Sequence, residues 1–142
     1  MWADDATLAV DFEEETTSYT DWTFTNFATK QTNSGVPAHG GSYFGSTNSK
    51  TSGSLVTKEK LAKPKNIQFY ISKTSTNNTA SSWIIKVSTD GETWTNVKTQ
   101  SASANITKGT WTEVTQDLTS YTNVYVGICY DGTTAIRTID DV

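Results

Sequence analysis

Apolar residues in the second half of the chain recur at every second position, and that period decides the fold class. Ile67, Phe69 and Ile71 alternate with Gln68, Tyr70 and Ser72. Trp83, Ile85 and Val87 alternate with Ile84, Lys86 and Ser88, and Val124, Val126, Ile128 and Tyr130 with Tyr125, Gly127 and Cys129. Successive side chains on an extended strand point to opposite faces, so each run presents one apolar face. No helical apolar period is sustained; the best window, Lys58 to Lys63, is cut off by Pro64. Leu8 to Glu13, Tyr43 to Thr47, Ser54 to Thr57, Trp94 to Lys98, Trp111 to Val114 and Thr134 to Val142 read as further strands. Asp90-Gly91 and Asp131-Gly132 read as hairpin turns, because both residue types tolerate the positive φ that tight hairpins need. Thr29 to Ser42 has no period, is rich in Gly, Ser, Asn and Thr, and reads as a long loop. About ten short strands separated by regular turn signals predict an all-β antiparallel sandwich, a jelly roll of two sheets.

Composition narrows the class. With 142 residues the chain is the size of one domain, 1–142. It holds 27 Thr and 15 Ser but only four Leu, which suits strands and turns and disfavours a helical bundle. Eleven Lys+Arg against 15 Asp+Glu give a net charge of −4, so the basic footprint of a nucleic-acid binder is absent. The single cysteine, Cys129, rules out an intramolecular disulfide. No stretch approaches the roughly 20 apolar residues of a membrane-spanning helix; the acidic start does not read as a signal peptide, which is uninformative about the parent of an excised module. The strand pattern still in progress at Asp140-Asp141-Val142 reads as a module cut from a larger multidomain protein. We expect a monomer that contacts the other domains of its parent and does not insert into a membrane.

Two groups of side chains carry chemistry. Asp11 and Glu13 lie two apart, so both project from the face opposite Leu8, Val10 and Phe12. Asp140 and Asp141 sit at the other end of the chain. From the pattern alone these are either cation ligands or solvated strand carboxylates. The second group is a possible platform. If Phe69, Trp83, Ile85, Val126 and Ile128 face the core, then Gln68, Tyr70, Lys86 and Tyr125 face outward. Aromatic faces there suit stacking on a pyranose and the polar groups suit its hydroxyls; the same residues also suit an ordinary solvent face. Trp22 reads as a stacking residue at the loop edge or as a plug in the sandwich end. His39, the only histidine, reads as a structural hydrogen-bonding residue. Catalysis has little support: there is no Gly-x-Ser-x-Gly elbow, and one His with one Cys is too few for a typical zinc site.

The ordered set of motifs carries a resemblance. Asp11-Phe12-Glu13, Gly40-Gly41-Ser42-Tyr43-Phe44, Ser88-Thr89-Asp90-Gly91-Glu92-Thr93-Trp94, Trp111-Thr112-Glu113-Val114 and Ile139-Asp140-Asp141-Val142 follow one another as in MAM-like jelly rolls. The layout resembles bacterial (Bacteroidetes-type) modules of secreted and surface proteins, and galactose-binding-like jelly rolls that include carbohydrate-binding modules. The cysteines of animal MAM domains are missing. The resemblance implies neighbouring first and last strands whose acids, Asp11, Glu13, Asp140 and Asp141, hold a structural Ca2+, a hard cation that takes six to eight oxygens. Asp140 is the first choice of its pair, since adjacent strand residues point to opposite faces. The resemblance also implies an extracellular, non-catalytic carbohydrate-binding module that meets polysaccharide through Tyr70, Gln68, Lys86, Tyr125 and Trp22. The alternative is an adhesion or spacer module that contacts protein and binds no sugar.

Overall fold

The computed structural model describes residues 7–14, 19–47, 52–73, 81–101, 107–132 and 137–142. Among the described residues there are ten strands: β1 (Trp22–Thr25), β2 (Ala28–Gln31), β3 (Phe44–Ser46), β4 (Ser52–Thr57), β5 (Asn66–Lys73), β6 (Ser82–Ser88), β7 (Thr95–Ser101), β8 (Thr112–Asp117), β9 (Tyr125–Asp131) and β10 (Arg137–Asp140). They form two five-stranded sheets, ordered β1-β4-β9-β6-β7 and β2-β3-β10-β5-β8. Every pairing is antiparallel. The all-β sandwich expected from the alternation is therefore the fold. Among the described residues no helix is long and apolar enough to cross a membrane.

The alternation that predicts the strands also predicts the core. Trp83, Ile85 and Val87 of β6, Val126, Ile128 and Tyr130 of β9, and Leu55 of β4 face inward from the first sheet. Ile67, Phe69 and Ile71 of β5, Val114 of β8 and Ile139 of β10 meet them from the second. Trp83 sits at the centre, with ring centroids of Phe27, Phe69 and Tyr130 5.2–6.5 Å away. Each large aromatic ring withdraws well over 100 Å² from water, so a few of them compensate for the scarcity of leucine.

Three expectations need correction. Asp90-Gly91 does join paired strands, β6 and β7, with Gly91 at φ 80°. Asp131-Gly132 does not: β9 pairs β4 and β6, whereas β10 pairs β3 and β5 in the other sheet. An Asp-Gly step permits a reversal but does not choose the partner strand. The Leu8 to Glu13 run buries Val10 and Phe12 as its alternation predicts, yet it is not a ladder strand. Only Val10 exchanges two backbone hydrogen bonds, with Val142, before Phe12 leaves the extended region at φ 60°. Finally, β1 and β2 occupy a Thr-rich stretch and the start of the expected loop, where apolar alternation is too thin to announce a strand.

The rest of that loop, residues 32–43, lies over the outside of the second sheet. Trp111 donates its Nε1–H to the Pro37 carbonyl at 2.8 Å, and its ring meets Phe44 edge-on at 5.9 Å. Val36 and Phe44 are buried there, apart from the main core.

Candidate functional site

The acids from both chain ends converge on this loop. Asp140 ends β10, directly opposite Tyr70 on β5, and is fully buried. Its Oδ2 accepts the backbone N–H of His39 (3.0 Å) and Gly40 (3.1 Å), and its Oδ1 accepts that of Asp141 (2.9 Å). Burial pushes its pKa up to about 6; the Gly40 amide opposes the rise and the neighbouring Asp141 charge adds to it. From the other side, Glu13 Oε1 accepts the N–H groups of Ser42 (2.9 Å) and Tyr43 (3.0 Å). Asp141 Oδ2 lies 2.6 Å from His39 Nδ1, and the His39 ring stacks on Tyr70 with centroids 3.6 Å apart.

Glycine makes this closeness possible. Gly41 has φ 61°, and a Cβ there would collide with the Glu13 carboxylate. A Cβ on Gly40 would sit 2.6 Å from Asp141 Oδ2. The alternation that made Asp140 the first choice of its pair does not extend to Asp141, which leaves the extended region at φ 48°, so both carboxylates turn to the same loop. Asp11 does not join them. The turn at Phe12 separates it from Glu13, and its Oδ1 accepts the Tyr19 hydroxyl at 3.0 Å. Among the described residues no three His, Cys, Asp or Glu side chains form a compact metal cluster. Any cation held here would have to take part of its oxygen shell from the loop backbone.

The expected ligand platform is divided between two faces. Gln68 and Tyr70 lie on β5 of the second sheet, Lys86 and Tyr125 on β6 and β9 of the first. Outward-facing residues from different sheets of a sandwich point away from each other, and alternation within a strand cannot say which sheet it joins. On the second sheet Gln68 Nε2 donates to Glu113 Oε1 (3.0 Å), and one face of Tyr70 is taken by His39. Trp22 is 3 % exposed and packs in the core at the sandwich end, so it is a plug. It also lines a cleft of about 450 Å³ with Leu8, Leu61, Ile67, Leu118 and Val126.

The outside of the first sheet is different. Pairing registers place Thr23, Val56, Gly127, Lys86 and Asn96 in one row across all five strands. Thr25, Ser54, Cys129, Ile84 and Thr99 form the next row. Five strands at the usual spacing make each row roughly 19 Å long. Trp94 arrives from the β6–β7 hairpin and its ring reaches Gly127, where a Cβ would stand 3.3 Å from its Cζ3 and 3.6 Å from its Cη2. Tyr125 completes the group, with Lys60 Nζ 5.8 Å from its ring centroid. From the sequence Trp94, which starts a strand after a turn, reads as a cap on the core or as half-exposed; the structure leaves it half-buried. The signal for this contact was the glycine two positions after Tyr125 on an outward-facing register, a place where a bulky side chain can approach the sheet closely.

No family model matches the sequence, and no curated protein matches it. Solved structures do. The K3 cleaved adhesin domain of Lys-gingipain from Porphyromonas gingivalis superposes with a TM-score of 0.71 at 18% identity, covering 94% of this chain and 95% of that one. The C-terminal family 22 carbohydrate-binding module of Clostridium thermocellum Xyn10B gives 0.62 at 15% identity over 99% and 94%. TmCBM61, solved in complex with β-1,4-galactotriose, gives 0.57 at 16% over 86% of each chain. The chain shares the β-sandwich fold of carbohydrate-binding modules and adhesin domains.

Proposed function

We propose that this chain is a non-catalytic carbohydrate-binding module of an extracellular bacterial protein, of the MAM-like kind its motif order resembles. The observation that carries the reading is the group of half-buried aromatic and polar side chains on the outer face of the first sheet. The Trp94 ring reaches Gly127, with Tyr125 and Lys86 nearby and hydroxyl residues in both rows. An apolar ring flanked by hydrogen-bonding groups suits the C–H face and hydroxyls of a sugar. The fold neighbours include modules whose names state carbohydrate binding. Single contacts of this kind are weak, and attachment to a larger protein would supply effective concentration.

We also propose a structural Ca2+ on the opposite side of the sandwich, held by Glu13, Asp140 and Asp141 with oxygens from the 39–43 loop. The donor chemistry fits: hard carboxylate oxygens, one fully buried, face a loop whose glycines admit close approach. Bound there, the ion would neutralise the crowded acids and tie both chain ends to the loop.

Affinity electrophoresis against a panel of soluble polysaccharides tests the main reading. Retardation by at least one polymer, lost in Trp94→Ala and in Tyr125→Ala, is expected. Retardation that survives both substitutions would move the site to the Trp22 cleft. No retardation by any polymer would replace this reading with the adhesion or spacer role.

A further inference from the structure

The charge on the open face is more specific than a general sugar platform requires. The two central rows comprise ten register positions, and Lys86 is the only Lys, Arg, Asp or Glu among them. The acid of this face that the registers show, Asp131, stands one row further on, paired with Ser52 and Ser82. Lys86 is half-buried, opposite Gly127, and none of the hydrogen bonds or ion pairs of the described residues gives it an acidic partner. Its charge is nevertheless felt locally: it lowers the pKa of the Cys129 thiol, which burial raises. A lysine with no acidic partner among the described residues leaves its ammonium available to a carboxylate arriving from outside. Lys60, beside Tyr125, adds a second cation at the edge of the same surface.

We propose that the open face selects acidic polysaccharide, with a uronate carboxylate on the Lys86 ammonium and the ring of that sugar or its neighbour on Trp94. This rests on the glycan-binding reading above and names its ligand class. A lysine that merely extends its stem along the sheet and keeps its charge in water would give no such preference.

The test uses the full chain, a uronate-rich polysaccharide such as polygalacturonate, and the same polymer after chemical reduction of its carboxyls to neutral hydroxymethyl groups. Isothermal titration should give affinity about tenfold or more weaker for the reduced polymer, a loss typical of one charge-assisted contact. Lys86→Gln should erase that difference, whereas Lys30→Gln, on the second sheet, should preserve it. Equal binding to both forms, or binding to neutral polymers alone, overturns the acidic preference and leaves the glycan reading standing. Equal losses in Lys86→Gln and Lys30→Gln also overturn it, because the attraction would then be diffuse charge. Failure to bind acidic, reduced and neutral polymers alike overturns both.

Discussion

The two outer faces of this sandwich use similar residues for opposite ends. Each carries a tyrosine, a tryptophan and a nearby lysine. On the second sheet the chain folds its own 32–43 loop over them: His39 stacks on Tyr70, Trp111 is tied to Pro37, and Asp140 and Glu13 grip the loop amides. On the first sheet Trp94, Tyr125 and Lys86 are half-buried, as Tyr70 and Trp111 are, but among the described residues no aromatic ring stacks on Trp94 or Tyr125. The difference teaches that an outward-facing aromatic residue is not by itself a binding group. What decides is whether the chain has spare loop to cover it and acids to anchor that loop.

Removing the anchor should produce the largest effect. Asp140→Ala leaves the amides of His39, Gly40 and Asp141 without their acceptor in a buried setting, at a cost of about 3 kcal/mol. Tyr125→Ala, on the open face, should cost under about 1 kcal/mol. Urea unfolding of both variants checks the contrast. Equal losses would mean that the two faces are equally part of the folded core.

Calcium removal comes next. If the cation ties the acids to the loop, a site loaded at a hundred times its Kd contributes about 2.7 kcal/mol. For a chain of this length that corresponds to a fall of about 5–10 °C in Tm on adding EDTA. Asp141→Asn should shrink the difference. Identical melting curves with Ca2+ and with EDTA would show that the loop amides alone satisfy the carboxylates.

A smaller pair of effects separates packing from recognition. Tyr70→Ala loses the His39 stack and should lower stability by about 1 kcal/mol while leaving glycan retardation intact. Trp94→Ala should show the reverse weighting, with binding lost and stability changed less. A Tyr70→Ala variant that binds no glycan would return the covered face to the ligand site.

How much of this was legible beforehand follows from what alternation encodes. Period two along β5, β6 and β9 gave the inward residues Phe69, Trp83 and Ile128 and the outward residues Tyr70, Lys86 and Tyr125. It carries no information on sheet membership, so Tyr70 and Tyr125 looked like neighbours. The meeting of the Glu13 end with the Asp140 end at Gly40-Gly41 was visible only through the resemblance, because it depends on long-range pairing. The divergence of Asp11 from Glu13, and the convergence of Asp140 with Asp141, turn on positive φ at Phe12 and Asp141. Phe does not advertise that conformation, as glycine does at Gly41, and Asp tolerates it without requiring it.

The smallest expected effect concerns the hairpin that delivers Trp94. Asp90 Oδ1 accepts the N–H groups of Glu92 and Thr93 at 2.8 Å and the Ser88 hydroxyl at 2.9 Å. The Thr93 and Glu92 amides, with the Ser88 hydroxyl, pull its pKa down to about 2. Its folded pKa lies below its unfolded one, so its stabilisation is present above pH 3.8 and disappears as the pH falls through about 2. Asp140 has the opposite sign. Its pKa is raised to about 6, so in the absence of cation its ionisation costs stability as the pH rises from 3.8 to about 6. The covered and open faces thus respond to acid in opposite senses. Asp90→Ala should flatten the loss of stability between pH 4 and 2 without altering the slope between pH 4 and 6. An unchanged acid limb in that variant would show that the hairpin carboxylate, exposed as it is, does not hold Trp94 in place through its charge.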